Sequence, residues 1–480
     1  MKKEYKNYDK EKSNLPPPVP DKKVNNLWLK TVKRLQPKII VLDDDPTGVQ
    51  TVHSVPVYTS WDKDSIKKIM REKSKVVYIL TNSRSLNREE TKKMHLELTY
   101  NLVEVFNRYN RKFTIISRSD STLRGHYPLE TRTIKEVLTE NKMNIDGEII
   151  IPFFQEGGRL TFNDIHYVKE GKKLIPAGET EYAGDPNFGY KASNLKKWIE
   201  EKTGGNISSS QVDSISLELL REENYEEIRQ KIQNLNTYND KLIVNSVNYN
   251  DLKVFTVALI QSLKTGKNYI YRTAASFVRV FGGIKEKKLL SGEELLPEGR
   301  GNPGLVIIGS YVNKTTRQFN QVKDLSSLAF IEWKVNKVKD QNSYESEIKR
   351  VTECINNAYE QGKHICVYTS REPLNIEDNN RRKSLKYSNR ISKGLVKSVE
   401  KAEIKPSYII AKGGITSSDI GVHALKVDKA LVLGQIYPGV PVWKLGEKSK
   451  FPGIPYVIFP GNVGEDNTLK NVIKEFIDSP

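Results

Sequence analysis

The chain has 480 residues, 37% hydrophobic and 28% charged, with a formal net charge of +18; that length suits two or three domains. No apolar run reaches the roughly 20 residues a membrane-spanning helix needs, and two cysteines, Cys354 and Cys366, cannot build a disulfide framework or a thiolate metal site. The lysines are dispersed among Glu, Asn and Asp, which speaks against a nucleic-acid partner and for solubility or attraction of anionic substrates.

Residues 1–24 are charged and end in a Pro-rich stretch without a signal-type apolar segment, so a cytoplasmic protein is expected. Five short apolar runs follow: 38–43 (KIIVLD), 76–81 (VVYILT), 113–117 (FTIIS), 148–154 (EIIIPFF) and 242–247 (LIVNSV). Continuous apolar runs are the pattern of strands buried on both faces. Helical stretches at 88–109 and 129–140 lie between them, and this alternation predicts a parallel, doubly wound sheet. Residues 283–303 are rich in Gly, Pro and charge and read as a linker. A second series of runs follows at 305–310, 364–370, 408–412, 430–433 and 456–459, and the charged stretch 371–390 reads as a surface loop. The expected fold is therefore α/β, with a domain over 25–282, a second over 304–480, each a mostly parallel sheet flanked by helices, and an active site in the cleft between them.

Ligands of open α/β sheets bind beyond the carboxyl ends of the strands. The first run ends in Asp43-Asp44-Asp45-Pro46-Thr47-Gly48, three carboxylates where one Asp would suffice as a helix cap. The second runs into Asn82 and Arg84, the third into Asp120, Ser121, Thr122, Arg124 and Gly125, and the fourth into Arg159. Arginines suit carboxylates and phosphates, and Asp with Ser/Thr suits sugar hydroxyls, so a small polyhydroxy acid is the expected ligand. The second half offers Gly-rich loops after strands: Ser310; Gly413, Gly414, Ile415 and Thr416; Gly439; and Gly461, Asn462 and Gly464. Such loops let backbone approach a nucleotide, although neither a P-loop nor a dinucleotide fingerprint is present.

In this order, DDDPTGVQTVH, TNSRSL, RSDSTLRGHYPLE, IPFFQEGGRLTFNDIHYV, ETEYAGDPNFGY, YRTAASFVR, GSYVNKTTRQ, AKGGITSSDI and FPGNVGEDNTL resemble the four-carbon acid sugar kinase family, formerly a family of unknown function. The resemblance implies a sugar-acid-binding N-terminal domain, a nucleotide-binding C-terminal domain, ATP and Mg²⁺ as cofactors, and threonate, erythronate or 3-oxo-tetronate as substrate. It puts nucleotide contacts on Ser310, Gly413 to Thr416 and Gly461, with Tyr311 departing from the usual small polar residue. Asp45, then Asp44, then Asp120 are the candidate bases for in-line phosphoryl transfer. A homodimer is left open, and no metal ligand is assigned. Two other readings are carried. Asp43 and Asp45 also fit the first motif of haloacid dehalogenase-like phosphatases, and the chain could bind acid sugars without turning them over.

Overall fold

The computed structural model describes residues 5–236, 238–297, 301–310, 312–372 and 381–478. The chain divides into two units: Met1–Val52 with Ser60–Glu286, and His53–Thr59 with Lys287–Pro480. No helix among the described residues is long and apolar enough to cross a membrane.

The first unit is built on seven parallel strands: β1 (Lys38–Asp43), β2 (Val76–Leu80), β3 (Phe113–Arg118), β4 (Gly147–Ile151), β5 (Val212–Ile215), β6 (Lys241–Val244) and β7 (Tyr269–Thr273), in the order β5-β6-β4-β7-β3-β1-β2. Helices cover the sheet. α1 (Arg88–Arg108) starts on a capping box between Asn87 and Glu90, and α2 (Leu129–Glu140) buries Ile134, Val137 and Leu138. α3 (Leu195–Lys202) buries Leu195, Trp198 and Ile199. The register levels the strand ends: Asp43 pairs with Leu80 and Arg118, and Thr273 with Arg118 and Ile151. Residues just past these positions therefore share one rim.

A small antiparallel sheet adds Arg159–Phe162, Ile165–Glu170, Lys173–Pro176 and Lys6–Asn7. The N-terminal stretch read as a separate segment is thus part of the first unit. The backbone carbonyl of Val19 accepts from Asn250 at 2.9 Å, and the helix Asp21–Lys33 buries Trp28, whose indole donates to the Val280 carbonyl at 2.9 Å.

The second unit contains β8 (Leu305–Ile308), β9 (Leu328–Trp333), β10 (His364–Thr369), β11 (Ile409–Lys412), β12 (Lys429–Tyr437), β13 (Val440–Leu445) and β14 (Pro455–Phe459). β14-β11-β8-β10-β9 run parallel, while β12 and β13 are antiparallel. Val55–Tyr58, inside the range read as the first domain, pairs antiparallel with β12. Leu290, Leu295 and Leu296, inside the stretch read as a linker, are buried in its core with Phe319, Tyr408 and Phe476. Of the stretch read as a surface loop, residues 381–390 belong to the helix Arg381–Lys401, and residues 373–380 lie outside the described residues. Tyr311 also lies outside them.

Candidate functional site

The acidic turn is a charge-alternating lattice. Arg118, at the end of β3, donates through Nη1 to Asp43 Oδ1 at 3.0 Å and to Asp44 Oδ1 at 3.1 Å. Arg84 donates through Nη2 to Asp45 Oδ2, and its Nη1 lies 3.3 Å from Asp120 Oδ1. Asp120 Oδ2 in turn accepts from Arg124 Nε at 2.7 Å and from the Thr122 hydroxyl. Asp45 Oδ1 caps the Pro46–Val49 turn by accepting from the Thr47 amide at 2.8 Å and the Thr47 hydroxyl. Gly48 is required here, because a Cβ at this position would overlap the Asp43 carboxylate.

Three adjacent carboxylates therefore behave differently. Burial pushes Asp43 up to about 8 and Asp44 up to about 6, against the pull of Arg118 on the first and of Arg84 and Arg118 on the second. Burial also acts on Asp45 and Asp120. There it is outweighed, by Arg84 and the Thr47 hydroxyl at Asp45 and by Arg124 and Arg84 at Asp120, so both are held below the ordinary carboxylate range. Asp44 Oδ2 is buried and has no hydrogen-bond partner among the described residues. A Cβ on Gly125, whose φ is +118°, would sit 3.5 Å from it.

The loop carrying Asp120 to Gly125 is held from behind. Buried His166, on the antiparallel sheet, donates from Nε2 to the Ser121 carbonyl at 2.8 Å, and its Nδ1 lies 2.9 Å from the Thr161 hydroxyl. Burial lowers His166 to about 4, so the ring is neutral, with Nδ1 accepting from Thr161. The Tyr190 hydroxyl donates to the Thr122 carbonyl at 2.7 Å. Leu123 takes a φ of +67° within this loop. Arg272, on β7, donates from Nη2 to the Arg124 carbonyl at 3.3 Å.

The three arginines expected at the rim do converge. Asp120 joins Arg84 to Arg124, and the Tyr182 ring lies 5.1 Å from the Arg124 guanidinium and 5.7 Å from that of Arg159. Arg159 Nη1 donates to the Gly157 carbonyl, while its buried Nε has no partner among the described residues. Asn82, with φ +52°, opens the short turn Ser83–Ser85 that presents Arg84.

In the second unit, Ser310, Gly413, Thr416 and Gly461 meet. A Cβ on Gly413 would come within 2.9 Å of Ser310 Cβ, one on Gly461 within 3.4 Å of Ser310 Oγ, and one on Gly309 would overlap the Thr416 hydroxyl. Thr315 Oγ1 lies 3.3 Å from both Ser310 Oγ and the Gly461 carbonyl. Buried Lys412 donates to the Pro460 carbonyl at 2.7 Å, and burial holds it well below the ordinary lysine range. Gly414 opens the helix Gly414–Asp419, and Ile415 beside it is 65% exposed. The Asn462 carbonyl is 3.5 Å from Lys314 Nζ, and Gly464 shares a pocket of about 390 Å³ with Lys314 and Arg317. Gly439 lies elsewhere, in the turn between β12 and β13, where its amide donates to Gln435 Oε1 at 2.6 Å.

Residues 39–281 match a family model described as a sugar-binding N-terminal domain, and residues 305–469 match one described as a nucleotide-binding C-terminal domain. The chain belongs to the four-carbon acid sugar kinase family. A solved Haemophilus influenzae protein is similar in fold (17% identity, TM-score 0.60, covering 91% of this chain and 100% of that one). So is a Salmonella typhimurium LT2 protein provisionally named a tRNA synthase (13% identity, TM-score 0.63, covering 92% and 98%). At these identities the likeness is one of fold alone. No curated protein matches.

In this member of the acid sugar kinase family, the sequence reading passed over Arg118, His166, Tyr182, Tyr190 and Arg272. Arg118 follows the apolar run 113–117 and opens the quoted motif RSDSTLRGHYPLE, which could have pointed to it. Tyr182 and His166 sit in quoted motifs, but only the fold brings them behind or beside the loop at 120–125. Among the described residues no group of three or more His, Cys, Asp or Glu side chains is arranged to hold a metal ion.

Proposed function

We propose that this chain is an ATP-dependent kinase that phosphorylates a hydroxyl of a four-carbon acid sugar such as threonate, erythronate or 3-oxo-tetronate. The acceptor is assigned to the first unit and the nucleotide to the second. The observation that carries the reading is Asp44 Oδ2: a buried carboxylate oxygen left unpaired beside Gly125, while the neighbouring acids are all tied to guanidinium groups. A group raised to about 6 is suited to take a hydroxyl proton near neutral pH. We therefore prefer Asp44 over Asp45 and Asp120 as the base, since both of those are committed to Arg84. Arg124 and Arg159, flanking Tyr182, are the proposed clamp for the substrate carboxylate.

ATP would supply the transferred phosphoryl group. The close approach of Gly413 and Gly461 to Ser310 is a cradle that side chains would fill, which fits a phosphate chain held by backbone. Mg²⁺ commonly binds through one or two carboxylates plus substrate phosphates. Asp44 is the acid of the turn with a buried unpaired oxygen among the described residues, so a nucleotide-borne Mg²⁺ fits better than a protein-only cage.

The phosphatase reading is disfavoured by Asp43. Its carboxylate lies under Gly48 and is bonded to Arg118, a poor position for an attacking nucleophile. The test is a panel of C4 acid sugars with ATP and coupled ADP detection. ADP release that depends on one of these sugars and falls with Asp44→Asn is expected. No sugar-dependent ADP release, or an aspartyl-phosphate trapped on Asp43, would overturn the proposal.

A further inference from the structure

A second cavity of about 340 Å³ lies in the first unit between α2 and α3, with Pro128, Ile145, Ile207 and Ile270 among its lining residues. Its floor is formed by Gly147, Glu148 and Lys241, at the amino ends of β4 and β6. The acidic turn lies at the carboxyl ends, so this cavity is removed from it by roughly 13 Å along β4, at about 3.3 Å per residue. Five cations line it against two carboxylates. Both carboxylates face Lys241, which pairs with Glu148 Oε2 at 2.8 Å and Asp240 Oδ2 at 3.1 Å, and Asp240 also holds Lys135 at 2.8 Å. Arg88, Arg132 and Lys202 remain as the cations of the mouth, with Glu136 Oε1 3.6 Å from Arg132 Nε.

The floor also carries unmet hydrogen-bonding capacity. Glu148 is 4% exposed, and its Oε1 has no partner among the described residues. Buried polar atoms in native proteins are nearly always satisfied by protein, water or ligand. Burial, and next the positive charge of Arg272, hold Lys202 below the ordinary lysine range, against the pull of Glu201 and Asp185. An anion would relieve that repulsion.

We propose that the groove between α2 and α3 is a second binding site of the first unit, one that takes a small hydroxylated phosphate dianion. The phosphate lies against Arg132 and Lys202 at the mouth. A ligand hydroxyl reaches down and donates to Glu148 Oε1. The excess of cations asks for a dianion, and the unpaired carboxylate oxygen asks for a donor, which inorganic phosphate alone supplies poorly. This inference does not depend on the kinase reading, because it concerns binding alone.

The test is calorimetric titration of the full chain, without nucleotide, with glycerol 3-phosphate, inorganic phosphate and glycerol. Saturable binding of glycerol 3-phosphate is expected, with inorganic phosphate at least tenfold weaker and glycerol undetectable. An Arg132→Glu/Lys202→Glu chain with an unchanged melting temperature should lose at least tenfold in affinity, and an Arg124→Ala/Arg159→Ala chain should retain it. Binding lost in the second variant and kept in the first would assign the ligand to the acid-sugar site and overturn the proposal. So would no binding, or inorganic phosphate binding equally well, which would mean an adventitious ion only.

Discussion

His166 offers a prediction whose magnitude follows from the structure. Burial lowers its imidazole from the ordinary 6.5 to about 4, and its two nitrogens are committed to the Ser121 carbonyl and the Thr161 hydroxyl. Protonation requires Nδ1 to give up its role as acceptor from Thr161. Because the folded pKa lies below the unfolded one, the stabilisation is fully present above about pH 6.5 and is lost as pH falls towards 4. A difference of about 2.5 pK units corresponds to about 3 kcal/mol. His166→Gln keeps a donor and an acceptor but does not titrate. Urea unfolding of both proteins between pH 7.5 and 4, followed on the first unit's transition, should show the wild type losing about 3 kcal/mol relative to the variant. Asp43 and Asp44 shift in the opposite direction, so their stabilisation fades as pH rises, but they are common to both proteins and cancel in the difference. A stability difference that stays flat with pH would refute the argument that a neutral, buried His166 holds the loop.

Three further outcomes are expected. The kcat/KM of the wild type should fall on the acid side with an apparent pKa near 6, and Asp44→Asn should lower kcat by about 10²–10⁴-fold, in the range for a general base; an unchanged rate would remove Asp44 from the chemistry. Gly48→Ala should cost about 1–3 kcal/mol as an overpacked site, read as a lower melting temperature, since the new Cβ overlaps the Asp43 carboxylate; an unshifted melting temperature would contradict that packing. Arg124→Ala and Arg159→Ala should each weaken kcat/KM for an acid sugar far more than for its neutral analogue, and equal losses on both with a lowered melting temperature would leave them only a structural role.

Much of this was legible in the sequence because buried parallel strands advertise themselves. KIIVLD forms β1 over the same residues that the apolar run marks, and the other runs of the first half give β2, β3, β4 and β6 with ends shifted by up to three residues. β7 escaped because YIYRT is short and interrupted by Arg272, yet it lies at the centre of the sheet, where Arg272 stacks 5.0 Å from Tyr127 and 5.5 Å from Trp198. Val55–Tyr58 escaped for a different reason: it pairs with β12, nearly 400 residues away, and nothing local says which strands a four-residue strand will join. The rim residues were accessible by reading past strand ends, since the register brings those ends level. Their pairing was not accessible. That Arg84 holds Asp45 and Asp120 while Arg118 holds Asp43 and Asp44 depends on side-chain geometry across three strands.

That pairing explains why three acids can stand in a row. Buried ion pairs contribute little net stability, because desolvation offsets much of their attraction. A turn that needed only a cap would keep Asp45, which bonds the Thr47 amide, and would dispense with Asp43 and Asp44. Instead, Arg118 is shared between Asp43 and Asp44, and Arg84 ties Asp45 to Asp120, with Arg124 closing the series. Each member is fixed by the next, and the loop they share is fixed again by His166 and Tyr190. The arrangement immobilises its guanidinium and carboxylate groups and leaves Asp44 Oδ2 as the one unpaired carboxylate oxygen of the acidic turn buried among the described residues. A lattice that gains little in stability but holds one unpaired carboxylate oxygen in place is what preorganised catalysis requires. On that ground we propose that the run Asp43-Asp44-Asp45 is a device for presenting Asp44.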